Sequence, residues 1–395
     1  MLTHARIAQA DGLLTHRDRR LQITDNVLKK MYGYYSKGLY GEALRVLAES
    51  EEETGSPIRY LIAGLCHEAR RSYDGALESL KRWHFAHADV ALSASAMETT
   101  FGCSSEILAR GTVLLGSKFI ELGEHERGET MLLDYLESCL VDGPAEQRGI
   151  ALKSLGMSYL SRGAFQQAVE ALTEAIPFVR GNGYDTSDLY EALARSYREL
   201  GSAEQSIQMI EKGISIQGQG ETRVALYLMA AELYYTRENV EEGRCYLEEL
   251  VTFISSGDTI VPAVLLVDAA NMGVKLGSWE TVGACASKAL ESREQSARDE
   301  ALVLLARSQY ETQQYESAMR TCDQILDVSG AQAHQMEAAK LKMMSHYAGG
   351  GEHLARCVSE AQLQAVLNSD LEFRKWFESL GGSARSRGLR KLFRL

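Results

Sequence analysis

Apolar and small side chains recur every three or four positions along most of the chain, the spacing of helices with one buried face. The clearest stretch is residues 151–176, ALKSLGMSYLSRGAFQQAVEALTEAI. Its first periodic run ends near Gly163 and its second begins at Phe165. The pattern predicts two amphipathic helices joined by a tight turn. Gly156 and Ala168 are predicted to lie at the close crossing of these helices, because neither has a bulky side chain.

The same arrangement recurs along the chain. Its copies are spaced roughly 33 to 52 residues apart, a range that includes the periods of helical repeat arrays. The longest spacing reflects an insertion at about 84–108. Because each unit of such an array buries its apolar face on its neighbours, the copies predict one elongated array. Eight copies align, at 31–47, 63–80, 115–135, 155–175, 193–213, 230–250, 269–289 and 305–325.

This pattern resembles the tetratricopeptide repeat over about residues 24–326. Two departures are that the family's early tryptophan is absent from every copy and that its closing proline is missing or displaced. The resemblance implies an all-α fold, a right-handed superhelical solenoid of about eight or nine helix pairs with a C-terminal capping region. The positions that carry the resemblance most clearly are Leu155, Gly156, Tyr159, Gly163, Phe165 and Ala168.

Four segments are predicted from these patterns. Residues 1–23 precede the array and residues 24–330 form it. Residues 331–380 are expected to be degenerate capping helices, and residues 381–395 are a basic tail. The tail is suited to an acidic partner, an RNA backbone or an anionic membrane, because apolar residues are interleaved with its charges. The alternatives are a disordered tail and a tail that folds back on the acidic remainder of the chain. Its predicted contact residues are Arg385, Arg387, Arg390, Lys391 and Arg394.

The charge balance restricts the partners that the rest of the chain can attract. Lys and Arg number 42, Asp and Glu number 54, and the formal net charge is −12. An acidic chain has no overall electrostatic reason to bind nucleic acid or an anionic membrane. No run of about 20 apolar residues occurs, so no transmembrane helix is expected.

The cysteines indicate the compartment. They number seven, are widely spaced and form no CxxC pair. This is typical of free thiols in a reducing compartment, which we expect to be the cytoplasm, or a cilium or nucleus. A weakly basic start leaves organelle import open, although Asp11 and Asp18 interrupt it.

Motifs for catalysis, metals and cofactors are missing from the sequence. The glycines at 349–351 lack the following Lys-Ser/Thr of a phosphate-binding loop. His353 with Cys357, and His84 with His87, each supply two ligands, fewer than a metal site needs. We therefore expect no catalytic residue, no metal and no cofactor, and hence a protein that is not an enzyme.

Binding residues follow from the resemblance, because the first helix of each tetratricopeptide repeat lines the concave face. Tyr and Arg often anchor protein interfaces. Lys153 and Asn271 lie in distant repeats, so they do not form the clamp that holds the C-terminal carboxylate of chaperones. The predicted partner-binding residues are Tyr35, Arg195, Arg198, Tyr235, Asn271, Arg307 and Tyr310.

Two points about this binding set stay open. For Tyr310, packing between repeats is an equal alternative. The neighbouring acids Asp188, Glu191, Glu232 and Asp268 are also suited to orient a basic partner, so the sign of the partner's charge is not fixed.

The function expected from these features is a non-enzymatic scaffold or adaptor subunit of a multiprotein complex. It would hold a segment of another protein subunit in its concave groove, and nucleic acid is disfavoured as a partner. Two alternatives are an RNA-associated helical-repeat factor that uses the basic tail, and a peptide-sensing regulator with its ligand in the groove.

Overall fold

In the computed structural model, α-helices are the only regular elements of the described residues. The chain divides into two compact units, Met1–Tyr184 and Asp185–Leu395, and each unit is described by itself. The prediction of an all-α fold is confirmed. The described residues are 27, 30–49, 58–87, 105–138, 144–181, 185–216, 220–256, 261–292, 295–328, 331–350 and 357–380.

The first unit consists of helices that pack on their neighbours in sequence. A helical segment at 30–35 precedes α1. The helices α2 and α3, α4 and α5, and α6 and α7 form pairs, and α4 also contacts α6. The predicted insertion begins inside α3, and its residues 88–104 lie outside the described part. The helices are α1 (Tyr40–Ala48), α2 (Ile58–Ala69), α3 (Tyr73–His87), α4 (Ser105–Glu121), α5 (His125–Ser138), α6 (Ala145–Ser161) and α7 (Phe165–Gly181).

The second unit repeats this organisation. The pairs are α8–α9, α10–α11, α12–α13 and α14–α15. The first helices also contact one another in the order α8, α10, α12, α14 and α16. The helices are α8 (Ser187–Glu199), α9 (Ala203–Ser215), α10 (Gly220–Thr236), α11 (Val240–Ser256), α12 (Ala263–Leu276), α13 (Trp279–Ala289), α14 (Gln295–Glu311), α15 (Tyr315–Val328), α16 (Gln332–Ala348), α17 (Glu360–Ser369) and α18 (Leu371–Ser379).

A left-handed residue marks the turn inside each of the eight aligned copies. Five of these turn residues are glycines, which adopt a positive φ without steric cost. The other three are Arg71, Glu238 and Gln313, with φ of 57°, 60° and 63°. The eight helix pairs with this common turn confirm tetratricopeptide-like repeats. The glycines are Gly38, Gly123, Gly163, Gly201 and Gly277.

In the pairs α2–α3, α4–α5 and α6–α7 the helices cross where the first helix has a glycine and so no side chain. A Cβ at Gly156 would lie 2.5 Å from Leu172 Cγ and 3.3 Å from the Leu172 backbone nitrogen. The atoms nearest to Gly156 thus belong to Leu172, and not to Ala168 as the sequence predicts, although Ala168 is fully buried. The reason is that helical side chains point toward the N-terminus, so Leu172 covers the turn that contains Ala168.

The C-terminal helices are fixed by polar caps. Ser359 and Gln362 form a capping box that starts α17. Asp370 accepts a hydrogen bond from the Phe373 amide (2.8 Å) and starts α18. Asp370 also pairs with Lys340 of α16 at 2.8 Å. Through these contacts α18 is held against α16, and the chain is described up to Leu380.

The close crossing generates a stability prediction. We expect Gly156→Ala to lower the free energy of unfolding by about 1–3 kcal/mol, because the new methyl overpacks a fully buried Leu172. Denaturant unfolding followed by circular dichroism measures this change. Gly33→Ala is the control, since a Cβ there meets nothing within 4 Å. Gly33→Ala should leave the free energy of unfolding unchanged or raise it. If Gly156→Ala is as stable as the unsubstituted protein, the close crossing is contradicted.

Candidate partner-binding face

The first helices of the second unit present a continuous row of polar and aromatic side chains. Within each helix these residues are spaced three, four or seven apart, or eleven in one case, so they share one face of the helix. Because consecutive first helices are in contact, their faces adjoin. We call this row the first-helix strip; it consists of Asp188, Glu191, Arg195, Arg198, Glu221, Glu232, Tyr235, Val264, Asp268, Asn271, Glu300 and Arg307.

Arg198 connects the first two helices of the strip. Its guanidinium donates to Glu232 of α10 at 2.9 Å and pairs with Glu199 at 3.2 Å. Arg195, one turn earlier, is more exposed and pairs with Glu191 at 3.7 Å. Tyr235 lies one turn beyond Glu232 and is 40% exposed. Arg195 and Arg198 therefore lie one turn apart on α8, and Arg198 contacts the turn of α10 that precedes Tyr235.

Asn271 connects the next two helices of the strip. Its side-chain amide donates to Glu300 of α14 at 2.9 Å. Arg307, further along α14, is exposed, and its guanidinium lies 5.6 Å from the centre of the Trp279 ring. This cation–π contact holds the Arg307 side chain in place while its charge stays accessible.

Two of the predicted binding residues are engaged in packing. Tyr310 is half-buried against a core cluster of α14 to α16, and its ring lies 6.0 Å from that of Tyr315. Burial raises the pKa of the Tyr310 hydroxyl. The structure therefore favours the packing alternative for Tyr310, although some of its surface is accessible.

Tyr35 is the second packing residue and lies in the first unit. Its ring is 5.9 Å from that of Tyr40, and its hydroxyl accepts a long hydrogen bond from Arg110 at 3.4 Å. Arg110 also pairs with Glu68 at 3.4 Å. These contacts connect three successive first helices of that unit. The predicted contact residues of the basic tail lie outside the described residues.

Carboxylates of the first-helix strip are close enough to repel one another. Burial raises the pKa of Glu191; Arg195 lowers it, and the carboxylates of Asp188 and Glu221 raise it further. Burial and the carboxylate of Glu300 likewise raise the pKa of Asp268. The strip contains six acids and three arginines, so its net charge is negative. A bound cation would reduce the repulsion between its carboxylates.

Glu221 and Glu300 are members of this face that the sequence analysis missed. Glu300 lies seven residues before Arg307 and Glu221 lies eleven before Glu232, and these spacings, which return to the same face of a helix, are the signal that could have identified them. These two carboxylates also raise the pKa of acids on neighbouring helices. The sequence of a single helix does not reveal which helices are its neighbours.

One buried cluster contains the residue types of a hydrolase triad. His125 Nδ1 lies 2.7 Å from Ser158 Oγ, and Ser158 donates to Glu129 at 2.6 Å. Arg162 donates to the other oxygen of Glu129 at 2.7 Å. Ser158 is fully buried and gives its proton to a carboxylate, whereas a nucleophile must be reachable and the acid must orient the histidine. This network joins α5 to α6, and its role is structural.

Metal ligands and thiols are two further kinds of reactive group among the described residues. No set of three or more His, Cys, Asp or Glu side chains in the described ranges is placed to hold a metal ion. Burial raises the pKa values of Cys66, Cys285 and Cys322 to about 12, so these thiols are inert. Among the residues described, no helix is both long and apolar enough to span a membrane.

Two surface hollows lie outside the first-helix strip. One of about 660 Å3 is lined by Phe119, Arg127 and other residues of α4 and α5. Another of about 580 Å3 is lined by Arg223, Phe253 and other residues of α10 and α11. Neither contains a predicted binding residue.

Comparison with solved structures finds similar repeat proteins. The chain is similar to the C-terminal part of a TPR repeat-containing protein from Cytophaga hutchinsonii, at 13% identity and a TM-score of 0.46, covering 69% of this chain and 98% of that one. A tetratricopeptide repeat protein from Parabacteroides merdae gives 13% identity and 0.42, with 73% and 98% covered. The apo form of the quorum sensor NprR from B. thuringiensis gives 15% and 0.39, with 86% and 96% covered.

No protein-family model matches the chain, and no curated protein is significantly similar to it. The TM-scores of these similarities are all below 0.5, so nothing about fold, partner or activity follows from them. The repeated helix pairs and their common turn define the class: a tetratricopeptide-like helical-repeat protein.

The repulsion at Asp268 predicts the sign of a stability change. Because the pKa of Asp268 in the fold is raised, its charged form is unfavourable at pH 7, and the penalty disappears as the pH falls through that raised pKa. We therefore expect Asp268→Asn, in a chain shortened to residues 1–380 so that the basic tail is absent, to unfold at the same or a higher temperature at pH 7. Thermal unfolding followed by circular dichroism tests this, and a lower unfolding temperature would contradict it.

Glu204→Gln is the matched control for this measurement. The pKa of Glu204 is lowered by a backbone hydrogen bond and by Arg237, which donates to it at 2.7 Å. Its charge therefore contributes stability at pH 7 that is lost as the pH falls through the lowered pKa. We expect the opposite sign from Asp268→Asn, namely a slightly lower unfolding temperature.

Proposed function

We propose that this protein is a non-enzymatic scaffold or adaptor subunit of a multiprotein complex, and that the first-helix strip holds a segment of another subunit. The observation that carries the proposal is the row of exposed and half-buried side chains on four consecutive first helices. Interhelical contacts, Arg198 with Glu232 and Asn271 with Glu300, keep neighbouring helices of the row in register.

The dimensions of the strip suit a peptide segment. Packed helices lie about 8–10 Å apart, so the three intervals from α8 to α14 span roughly 25–30 Å. An extended chain of about eight or nine residues, or a helix of about eighteen, covers that length. A small substrate would touch only one or two of these helices. A row therefore favours an extended or helical segment of a partner.

The side chains of the strip are of the kinds that anchor interfaces. Tyr235 offers a large apolar surface with little conformational entropy to lose. Arg307 is held in place by Trp279, so less entropy is lost when it binds. The excess of acids, among them Asp268 and Glu300, favours a partner segment with basic residues.

The test is the double substitution Arg198→Ala with Tyr235→Ala in a pull-down of native partners. We expect at least one partner to be lost, since hot-spot residues contribute about 2 kcal/mol or more, roughly a 30-fold change in affinity. The control is Arg82→Ala with Tyr73→Ala, which removes the same side-chain types from the second helix α3 and should leave partners bound. If the double variant folds and keeps every partner, the strip is not the binding surface.

The same preparation separates the two alternatives. The RNA-associated factor is favoured by the five basic residues of 381–395 and predicts RNA binding that weakens steeply with salt. The peptide-sensing regulator predicts tight binding of one short peptide and no stable protein subunit. Co-purification of subunits through the strip supports the scaffold.

A further inference from the structure

The first-helix strip combines acidic and exposed apolar surface. Tyr235 is 40% exposed and Val264 is 54% exposed, although both belong to helices that are otherwise well buried. Asp268 lies one turn beyond Val264 on the same face of α12. A surface of this composition fits a segment in which basic and apolar residues alternate.

Among the described residues, no cation pairs with two neighbouring carboxylates of the strip, those of Asp268 and Glu300. Glu300 of α14 lies near Asp268 of α12, and the Asn271 amide that donates to Glu300 is neutral. Two carboxylates beside each other without a cation are destabilising, and a guanidinium between them would stabilise both. Arg198, by contrast, already satisfies Glu232 on α10.

The chain itself contains a segment with the complementary chemistry. Residues 381–395, GGSARSRGLRKLFRL, have five basic residues and no acid, with Leu389, Leu392, Phe393 and Leu395 between the charges. The tail contributes +5 to a net charge of −12, so the rest of the chain carries −17. The tail is thus attracted to the remainder of its own chain.

The tail is also longer than the strip, and it starts from a cluster of helices that adjoins α14. Its attachment point, Leu380, is buried in the cluster that α16 forms with α17 and α18, and α16 contacts α14. Fifteen residues extend over at most about 50 Å, whereas the strip spans roughly 25–30 Å. Both the tail and the strip belong to the second unit.

We propose that residues 381–395 bind the first-helix strip of their own chain, with an arginine of the tail at Asp268 and Glu300 and its apolar residues against Tyr235 and Val264. This inference rests on the proposed function for the location of the partner site. The tail then occupies the site until a partner segment displaces it.

The experiment is photo-crosslinking in the full-length chain. A benzoylphenylalanine placed at position 393 reports which residues lie beside the tail, and crosslinked peptides are identified by mass spectrometry. We expect crosslinks within one chain to α10, α12 or α14, at a yield independent of protein concentration. Asp268→Asn with Glu300→Gln should reduce this yield about tenfold, as expected when charge-assisted contacts are lost.

The control is Glu248→Gln with Glu249→Gln, which removes the same charge from the second helix α11 and should leave the yield unchanged. Crosslinks between two chains, crosslinks to other surfaces, or none would overturn the proposal. An equal loss in both double variants would show attraction by net charge alone and would also overturn it. None of these results affects the partner pull-down, so failure of the tail contact is distinguishable from failure of the proposed function.

Discussion

Three helix pairs of the first unit depend on an approach so close that one position of the first helix has no room for a side chain, and the pairs of the second unit have alanine at the aligned position. A Cβ at Gly64 would lie 2.5 Å from Leu80, one at Gly116 would lie 2.7 Å from Leu132, and one at Gly156 would lie 2.5 Å from Leu172. In each case a leucine of the second helix fills the space above the glycine. The cores of the pairs are built around this contact, because a wider separation would leave cavities.

The close crossing also determines where polar side chains can go. Each first helix packs with one face on its own second helix and with its flanks on the neighbouring first helices. The remaining face of the helix points away from these contacts. In the second unit this face holds the first-helix strip. Polar contacts such as Arg198 with Glu232 then fix the spacing of side chains from different repeats. The surface that we propose for partner binding is therefore a consequence of repeat packing and needs no pocket.

Much of this architecture could be predicted from the sequence, because helical periodicity and turn glycines are local signals. The turn at Gly163 is one example. The turns at Glu238 and Gln313 show the limit: they adopt the same positive φ without glycine, at a cost of about 1–2 kcal/mol each. The packing of the flanking helices imposes that conformation, and no local signal reveals it.

The candidate site was less predictable than the fold. Sequence position placed Arg195, Arg198, Tyr235, Asn271 and Arg307 on the first helices, as the structure has them.

Which of these residues have a partner within the chain depends on contacts between helices some 30 residues apart. The link from Asn271 to Glu300 is one such contact. The packing of Tyr310 on Tyr315 is another case, because it depends on rotamers that periodicity does not encode.

We propose that partners bind across the first helices of the second unit. The most direct test compares hydrogen–deuterium exchange rates of the native complex with those of the isolated protein. We expect slower exchange in α8, α10, α12 and α14 on partner binding, with the exchange rates of α9, α11, α13 and α15 unchanged. Protection confined to those second helices, or to the first unit, would contradict it.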